Sequence, residues 1–351
     1  MNLSFWDNKK VFITGDTGFK GSWLAYWLLN LGANVYGYAL EPDTDKSLYT
    51  ILNLKKEYDS ERQDIRDFDK LSASIKRFNP EIIFHLAAQP LVKESYINPI
   101  YTYSTNVIGT ANLLEASRNI SSIRSIIVVT TDKVYKNLEK NKSYKESDVL
   151  GGHDPYSSSK ACTELLLDSF RNSFFNEKNI PLISARAGNV IGGGDWSPNR
   201  IIPDVVKSLY EGQELLVRSP NSIRPWQHVI DPLAGYLLLA EKSFQNWSMT
   251  SSAWNLGPLF NSHKTVLDVL EVMKEFNKSL HWKLDDQVHE HEASLLMLDI
   301  SKAINKLNWT PKFSFEKSIE LTSEWYSCYY SGADIRKVTD QQLNLNYKMY
   351  E

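Results

Sequence analysis

The stretch Tyr156-Ser157-Ser158-Ser159-Lys160 sets a phenol and an ammonium four residues apart, so on a helix they share one face. A cation held there is expected to lower the phenol's pKa, letting Tyr156 take a proton from a substrate hydroxyl as a hydride leaves the same carbon. Any long helix can carry this spacing as a surface tyrosine and a solvated lysine. The pair gains meaning from two other stretches: a glycine-rich loop from Gly15 to Gly21, and the polar cluster Thr131-Asp132-Lys133 at the end of an apolar run.

These groups need elements to position them. Val11-Phe12-Ile13-Thr14 reads as a buried strand, followed by Gly15-Asp16-Thr17-Gly18-Phe19-Lys20-Gly21 and an apolar helix through Leu29. Gly15, Gly18 and Gly21 allow a tight turn and close backbone approach. With Thr17 and Phe19 they form a dinucleotide cradle, with the pyrophosphate at the helix N-terminus. Asp16 would repel that pyrophosphate unless it points away or caps the helix, and capping is the expected reading.

The second strand, Asn34 to Leu40, ends at Ala39-Leu40-Glu41 with no Arg or Lys until Lys46, which points to NAD rather than NADP. Gln63-Asp64-Ile65-Arg66 reads as the end of a third strand. There Asp64 faces an adenine amino group and Ile65 the ring, or Asp64 caps a helix. Glu81 to Gln89 is a fully buried strand whose Ala87 and Ala88 leave room for the cofactor, and His85 within it is read as a satisfied core histidine. Asn106, in the middle of a helix from Asn98 to Ser117, either serves the cofactor or braces a kink. Ser125 to Thr131 forms a fifth strand, delivering Thr131, Asp132 and Lys133 at its carboxyl end, where open parallel sheets bind ligands.

Glu139 to Asp148 reads as a charged loop, and Leu182 to Ala185 as a sixth strand. Near residue 190 the regular alternation gives way to glycine loops, scattered tryptophans and short elements, among them a strand at Leu215 to Arg218 and a helix from Asp231 to Glu241. The expected fold is α/β: a Rossmann doubly wound parallel sheet with a second, smaller mixed α/β substrate-binding lobe. The dinucleotide domain covers 1–189, returning at about 226–255 and 293–305, and the rest of 190–351 is the lobe.

At 351 residues, 42% hydrophobic and 23% charged, the chain has the composition of an ordinary globular protein. A net charge of −3 offers no basic face for a nucleic-acid backbone, so the expected partner is a small nucleotide-bearing metabolite. Cys162 and Cys328 lack metal-ligand spacing, and no His, Cys or acidic cluster suggests a metal. With no signal-like or membrane-length apolar run, the expected location is cytoplasmic, with no membrane partner.

Four stretches carry a resemblance over nearly the whole chain: Thr14 to Leu24, Thr131-Asp132-Lys133-Val134-Tyr135, Gly188 to Trp196, and Arg224-Pro225-Trp226-Gln227-His228-Val229. The chain resembles the extended short-chain dehydrogenase/reductases, specifically the sugar-nucleotide 4,6-dehydratases, and among these the members acting on CDP-glucose. The resemblance implies NAD as cofactor and a role in deoxysugar and O-antigen precursor synthesis. It makes Thr131 the catalytic hydroxyl, Tyr156 and Lys160 the oxidising pair, Asp132 the acid that protonates the departing C6 hydroxyl, and Lys133 the candidate C5 base. Lys133 stands where dTDP-glucose members carry Glu, and where CDP-glucose and UDP-N-acetylglucosamine members carry Lys. Members of the family often have His where this chain has Asp16. In the second lobe Asn189, Arg200, Arg224 and Trp226 are the expected substrate contacts, an Arg being the natural partner of a diphosphate. The family's usual dimer packs the helices around Asn98–Ser117 and Tyr156–Arg171 into a four-helix bundle, giving a homodimer or tetramer. The rivals are a UDP-N-acetylglucosamine or dTDP-glucose dehydratase, a 4-epimerase with no need of Asp132-Lys133, and an NAD-sensing module with no need of the Tyr/Lys pair.

Overall fold

The computed structural model describes residues 2–138, 142–259, 263–285, 287 and 295–347. The first three positions of the expected 139–148 loop, and the start of the expected return at 293, lie outside them. Seven parallel strands form the central sheet: β1 Lys10–Thr14, β2 Asn34–Ala39, β3 Asp59–Arg62, β4 Ile82–His85, β5 Ser125–Val129, β6 Leu182–Ala187 and β7 Ala253–Leu256. Their spatial order is β7-β6-β5-β4-β1-β2-β3, and every pairing is parallel. This is the expected doubly wound Rossmann sheet. The strand order reverses between β1 and β4, so the crevice at the carboxyl ends of β1, β4 and β5 is where such a sheet binds ligands.

The central strands read as unbroken apolar runs because both faces are covered. Along β5, Ile127 and Val129 enter one apolar cluster, while Ile126 and Val128 enter the other. β3 is different. It is a polar edge strand, Asp-Ser-Glu-Arg, and it ends at Arg62, before the stretch expected to close it.

Helices flank the sheet. α1, Phe19–Asn30, follows the glycine loop, and α2, Phe68–Phe78, is capped by Asp67 rather than Asp64. The expected helix through Asn106 is α3, Pro99–Tyr103, a π turn at Ser104–Ile108, and α4, Gly109–Ser117. α5, Pro155–Phe170, starts with Pro155 in its first turn and a capping box in which Asp154 accepts from the Ser157 amide and Ser157 Oγ accepts from the Asp154 amide.

After Ala187 the chain leaves the sheet. Short ladders pair Val190–Ile191 with Gln227–His228 and Ile223–Pro225 with His263–Thr265, and α6 spans Ile201–Glu211. α7, Ile230–Gln245, packs back on β5 and β6 before β7 rejoins the sheet. Side chains such as Ile202, Trp226 and Leu270 belong to the same apolar cluster as Ile127 and Val129, so this part shares the core of the sheet.

Candidate active site

A cavity of about 300 Å³ opens at the crevice and is lined by Phe19 and Lys20 of α1, Thr131, Asp132, Lys133, Tyr156, and Asn189, Arg200, Arg224 and Trp226. That volume is at the low end for small-molecule sites. Groups that are distant in sequence meet here because the turns after β1, β5 and β6 all open on one end of the sheet.

Thr131 begins a short 3₁₀ turn, Asp132–Val134, and its hydroxyl accepts from the Lys133 amide. Thr131 Oγ1 donates to Asp132 Oδ1 at 3.0 Å and is hydrogen-bonded to the Tyr156 phenol. Asp132 is 1% exposed, and its Oδ2 has no hydrogen-bond partner. Burial pushes its carboxyl above the ordinary range, although Lys133, Thr131 and Arg224 oppose the shift. Asp132 therefore holds a proton more readily than an exposed aspartate, as a general acid requires.

The Tyr156 phenol goes the opposite way from the sequence expectation. Burial pushes it up to about 12, with Thr131 and Arg200 pulling down and Asp132 and Asp154 pushing up. The Lys160 ammonium, expected to lower it, instead donates to the Val129 carbonyl at 3.3 Å, and burial brings Lys160 down to about 8 against the pull of Glu164. Spacing alone puts the two residues on one face of α5; whether the ammonium reaches the phenol is decided by the strand end beneath it.

Glu164, one turn beyond Lys160, forms a buried pair with Arg186 of β6 and accepts from Thr130 and Ser184. Asn106 is fully buried, and its amide is used entirely inside the protein: it accepts from the Gln89 amide and donates to Gln89 O and Ser159 Oγ. It braces the π turn. His85 is satisfied as expected, within hydrogen-bond distance of Thr14 and Thr110.

The glycine loop fits a dinucleotide. Gly15 has φ +75°, and a Cβ there would come within 2.6 Å of Ala87 N; a Cβ on Gly21 would lie 1.9 Å from Gly15 O. These contacts clamp the loop to the end of β4, beside Ala87 and Ala88. Gly18 caps α1 with no side chain, and a Cβ added there would touch nothing closer than Gly15 O at 3.4 Å. The first-turn N–H groups of α1 are thus left for an anion.

Two expectations around the loop are overturned. Asp16 does not cap α1: it is wholly buried, and its Oδ2 accepts from Tyr58 OH and from Arg62 Nη2, each at 2.9 Å. Burial pushes its carboxyl up while Arg62 and Tyr58 hold it down. A cation also stands near the end of β2, since Arg62 is paired in register with Ala39. Both contacts join residues more than 20 apart in sequence, so spacing could not reveal them. Asp64 is turned onto Arg66, and Ile65 is buried beside Gly109 of α4.

In the cavity wall, Arg200 pairs with Asp195 at 2.9 Å and Trp226 Nε1 donates to Lys264 O. Arg224 donates to Ile223 O and acts electrostatically on Asp132. Gly188 admits this approach: a Cβ there would lie 2.4 Å from Pro225 Cγ and 3.0 Å from Asp132 Oδ2. Lys20 is not among the residues that the sequence motifs assign to the site. It lines the cavity, and burial with repulsion from Lys160 and Arg200 brings it down to about 7, against attraction to Asp132 and Asp195. Its signal was a cationic side chain in the first turn of a phosphate-binding helix. Lys93 and Tyr96, from a short helix at Val92–Ile97 after β4, also line the cavity.

The chain belongs to the GDP-mannose 4,6 dehydratase family, whose model matches residues 12–322. It is 46% identical over 350 residues to the CDP-glucose 4,6-dehydratase of Salmonella typhimurium, covering 98% of each chain. Among solved structures, an epimerase of Methanothermobacter thermautotrophicus has a TM-score of 0.82 at 24% identity, covering 95% of this chain and 96% of that one. A dTDP-glucose 4,6-dehydratase from Bacillus anthracis in complex with NAD has a TM-score of 0.75 at 24% identity, with 91% and 96% covered. At that identity these two structures speak for the fold.

Proposed function

We propose that the protein is a CDP-glucose 4,6-dehydratase that converts CDP-D-glucose to CDP-4-dehydro-6-deoxy-D-glucose and water with resident NAD. The observation that carries this reading is Asp132, buried with one carboxylate oxygen unpartnered, in one cavity with Tyr156 and followed by Lys133. An epimerase has no use for that acid, and identity to the Salmonella enzyme favours the cytidine nucleotide.

NAD bound along the glycine loop supplies a hydride acceptor for the first step and the donor for the last. Tyr156 is assigned to take the C4 hydroxyl proton, which requires that the positive nicotinamide of bound NAD bring down a phenol that burial raises while Lys160 is engaged with the Val129 carbonyl. The resulting 4-ketone acidifies the C5 proton, which Lys133 takes. Asp132 gives its proton to the departing C6 hydroxyl, and water leaves. After hydride return to C6, Lys133 returns a proton to C5, and the proton held by Tyr156 goes back to Asp132 by way of the Thr131 hydroxyl bonded to both, so the cycle has no net oxidation and the enzyme is restored. Arg200 and Arg224 are assigned to the substrate diphosphate, Asn189 and Trp226 to the sugar-nucleotide wall, and Gly15, Thr17, Gly18, Phe19, Gly21, Asp64, Ile65, Ala87 and Ala88 to the dinucleotide. Residues from 190 onward form the substrate lobe apart from their returns to the sheet.

On this reading the enzyme serves deoxysugar and O-antigen precursor synthesis and works in the cytoplasm. A homodimer is supported by the exposed apolar side chains Ile97, Ile100, Ile108 and Leu165 on and beside α3, the π turn and α5. Among the described residues no helix is long and apolar enough to cross a membrane. The reaction is tested with C4-deuterated CDP-glucose, which is expected to give product deuterated at C6. Label released as free NADH, or equal turnover of UDP- and dTDP-glucose, would overturn the assignment.

A further inference from the structure

In a dinucleotide fold the end of β2 is where the adenosine ribose is read: a carboxylate there binds a free 2′-hydroxyl, and an arginine nearby accommodates a 2′-phosphate. In this protein β2 runs out at Ala39, and the charged group beside it is Arg62, the last residue of β3. Arg62 Nη1 reaches the Leu40 carbonyl at 3.5 Å, and the same carbonyl accepts from Thr17 Oγ1 of the glycine loop at 3.0 Å. The guanidinium thus stands between the loop and the end of β2, and by residue type alone this would be a site for a phosphorylated ribose.

The other end of that guanidinium is already engaged. Nη2 donates to Asp16 Oδ2 at 2.9 Å, and the group lies 5.2 Å from the centre of the Tyr49 ring. Asp16 has nowhere else to turn. Its carboxylate lies against the α-carbon of Gly37 in β2, where a Cβ would come within 2.3 Å of Oδ2, and Tyr58 holds the same oxygen from the far side. Oδ1 is buried with no hydrogen-bond partner. A carboxylate enclosed this way, with one oxygen unsatisfied, binds its arginine tightly, because separating the pair would leave a buried charge uncompensated.

We infer that Asp16 is a specificity-determining residue that excludes 2′-phosphorylated dinucleotides, by neutralising and tethering Arg62, the arginine placed to receive the phosphate. The tether keeps Arg62 from turning its fork to an incoming phosphate, and the pair as a whole offers that phosphate no net positive charge. Glu41, which follows Leu40, adds negative charge to the same edge. The inference rests on NAD being the resident cofactor and assigns the discrimination against NADP to a particular pair.

The test is direct binding of NAD and NADP to the purified full-length protein, followed by calorimetry and by quenching of tryptophan fluorescence. Asp16→Asn keeps the shape and the Tyr58 bond while removing the charge, and Asp16→Ala removes both. In each, the ratio of the NADP to the NAD dissociation constant is expected to fall at least about tenfold, mainly through tighter NADP binding. In Asp16→Asn/Arg62→Met it should return towards the native value. Variants that bind NAD but keep the native ratio overturn the inference, as does a double variant that keeps the gain. Native protein that binds NADP as tightly as NAD overturns it without any variant. Native protein that prefers NADP outright refutes the NAD reading itself, a result separable from an unchanged ratio in the Asp16 variants.

Discussion

The Asn106 amide donates to the Ser159 hydroxyl at 2.8 Å, joining a π turn to the second turn of the helix that carries Tyr156 and Lys160. The same amide holds both backbone groups of Gln89 beyond β4, so one side chain sets the distance between two walls of the crevice. Asn106→Ala removes the partner of both buried Gln89 backbone groups, at roughly 1–3 kcal/mol for each one left unsatisfied, while the Ser159 hydroxyl keeps its bond to the Tyr156 carbonyl. Urea unfolding is expected to show a lower midpoint with an unchanged slope, together with reduced turnover. A midpoint equal to the native one would mean that water replaces the amide.

Tyr156 and the Asp132-Lys133 pair act on different steps and should fail differently. Tyr156→Phe should abolish both reduced-nicotinamide formation and dehydration. Asp132→Asn and Lys133→Met should permit C4 oxidation and slow elimination by about 10²–10⁴. Stopped-flow absorbance in a single turnover would then show reduced nicotinamide accumulating only in the latter two. Native behaviour in Lys133→Met would move the C5 base to another residue.

Lys20 should help ligands and harm the empty fold. Its pKa is brought down to about 7 in the folded protein from 10.5, so its contribution to stability is present above pH 10.5 and is lost as pH falls through 7. Lys20→Met is expected to melt higher than the native protein at pH 6, with the gap closing toward pH 10. Binding of CDP-glucose should take up a proton near pH 8 in the native protein and not in the variant, as read by calorimetry in buffers of different ionisation enthalpy.

The Glu164–Arg186 pair gives an acid-side prediction. Burial alone would raise Glu164, but Arg186 and hydrogen bonds from Thr130 and Ser184 hold it below its ordinary value. A lowered carboxylate stabilises the fold above its unfolded pKa of 4.5 and loses that contribution as pH falls through the folded value. Glu164→Gln should cost about 3–5 kcal/mol at pH 7, because Arg186 is left buried and unpaired. The deficit relative to native protein should shrink in thermal melts below pH 4.5.

If α3 and α5 form the dimer face, Ile100→Glu with Leu165→Glu should yield a monomer by sedimentation, with secondary structure intact by circular dichroism. Both side chains are exposed in the single chain, at 80% and 61%, so the substitutions have little to disturb within the fold. A dimer surviving both changes would place the contact elsewhere.

The sheet was legible in the sequence where its strands are buried on both faces: Val11–Thr14, Ile82–His85 and Ser125–Val129 stand out as apolar runs between turn residues. β3 was harder, because an edge strand of Asp-Ser-Glu-Arg has no apolar signature and its end was placed a few residues late. The groups of the crevice were named from their motifs, but their electrostatics were not readable. The raised Tyr156 phenol, the Lys160 contact with Val129 and the Asp16–Arg62 pair all depend on which backbone lies beneath a side chain, and that is set by strand order. Lys20 went unremarked for the same reason: its cationic neighbours come from α5 and the turn before α6.

The last strand of the sheet carries an implication for recombination. β7 pairs along β6 through Ala253–Leu256, yet between these two strands the chain first builds most of the substrate wall. That wall is therefore held at both ends by one hydrogen-bonded ladder. A chimera that takes this wall from one parent and the sheet from another has to be joined twice, once near Ala187 and once before Ala253, so that both ends of the exchanged stretch meet strands already in register.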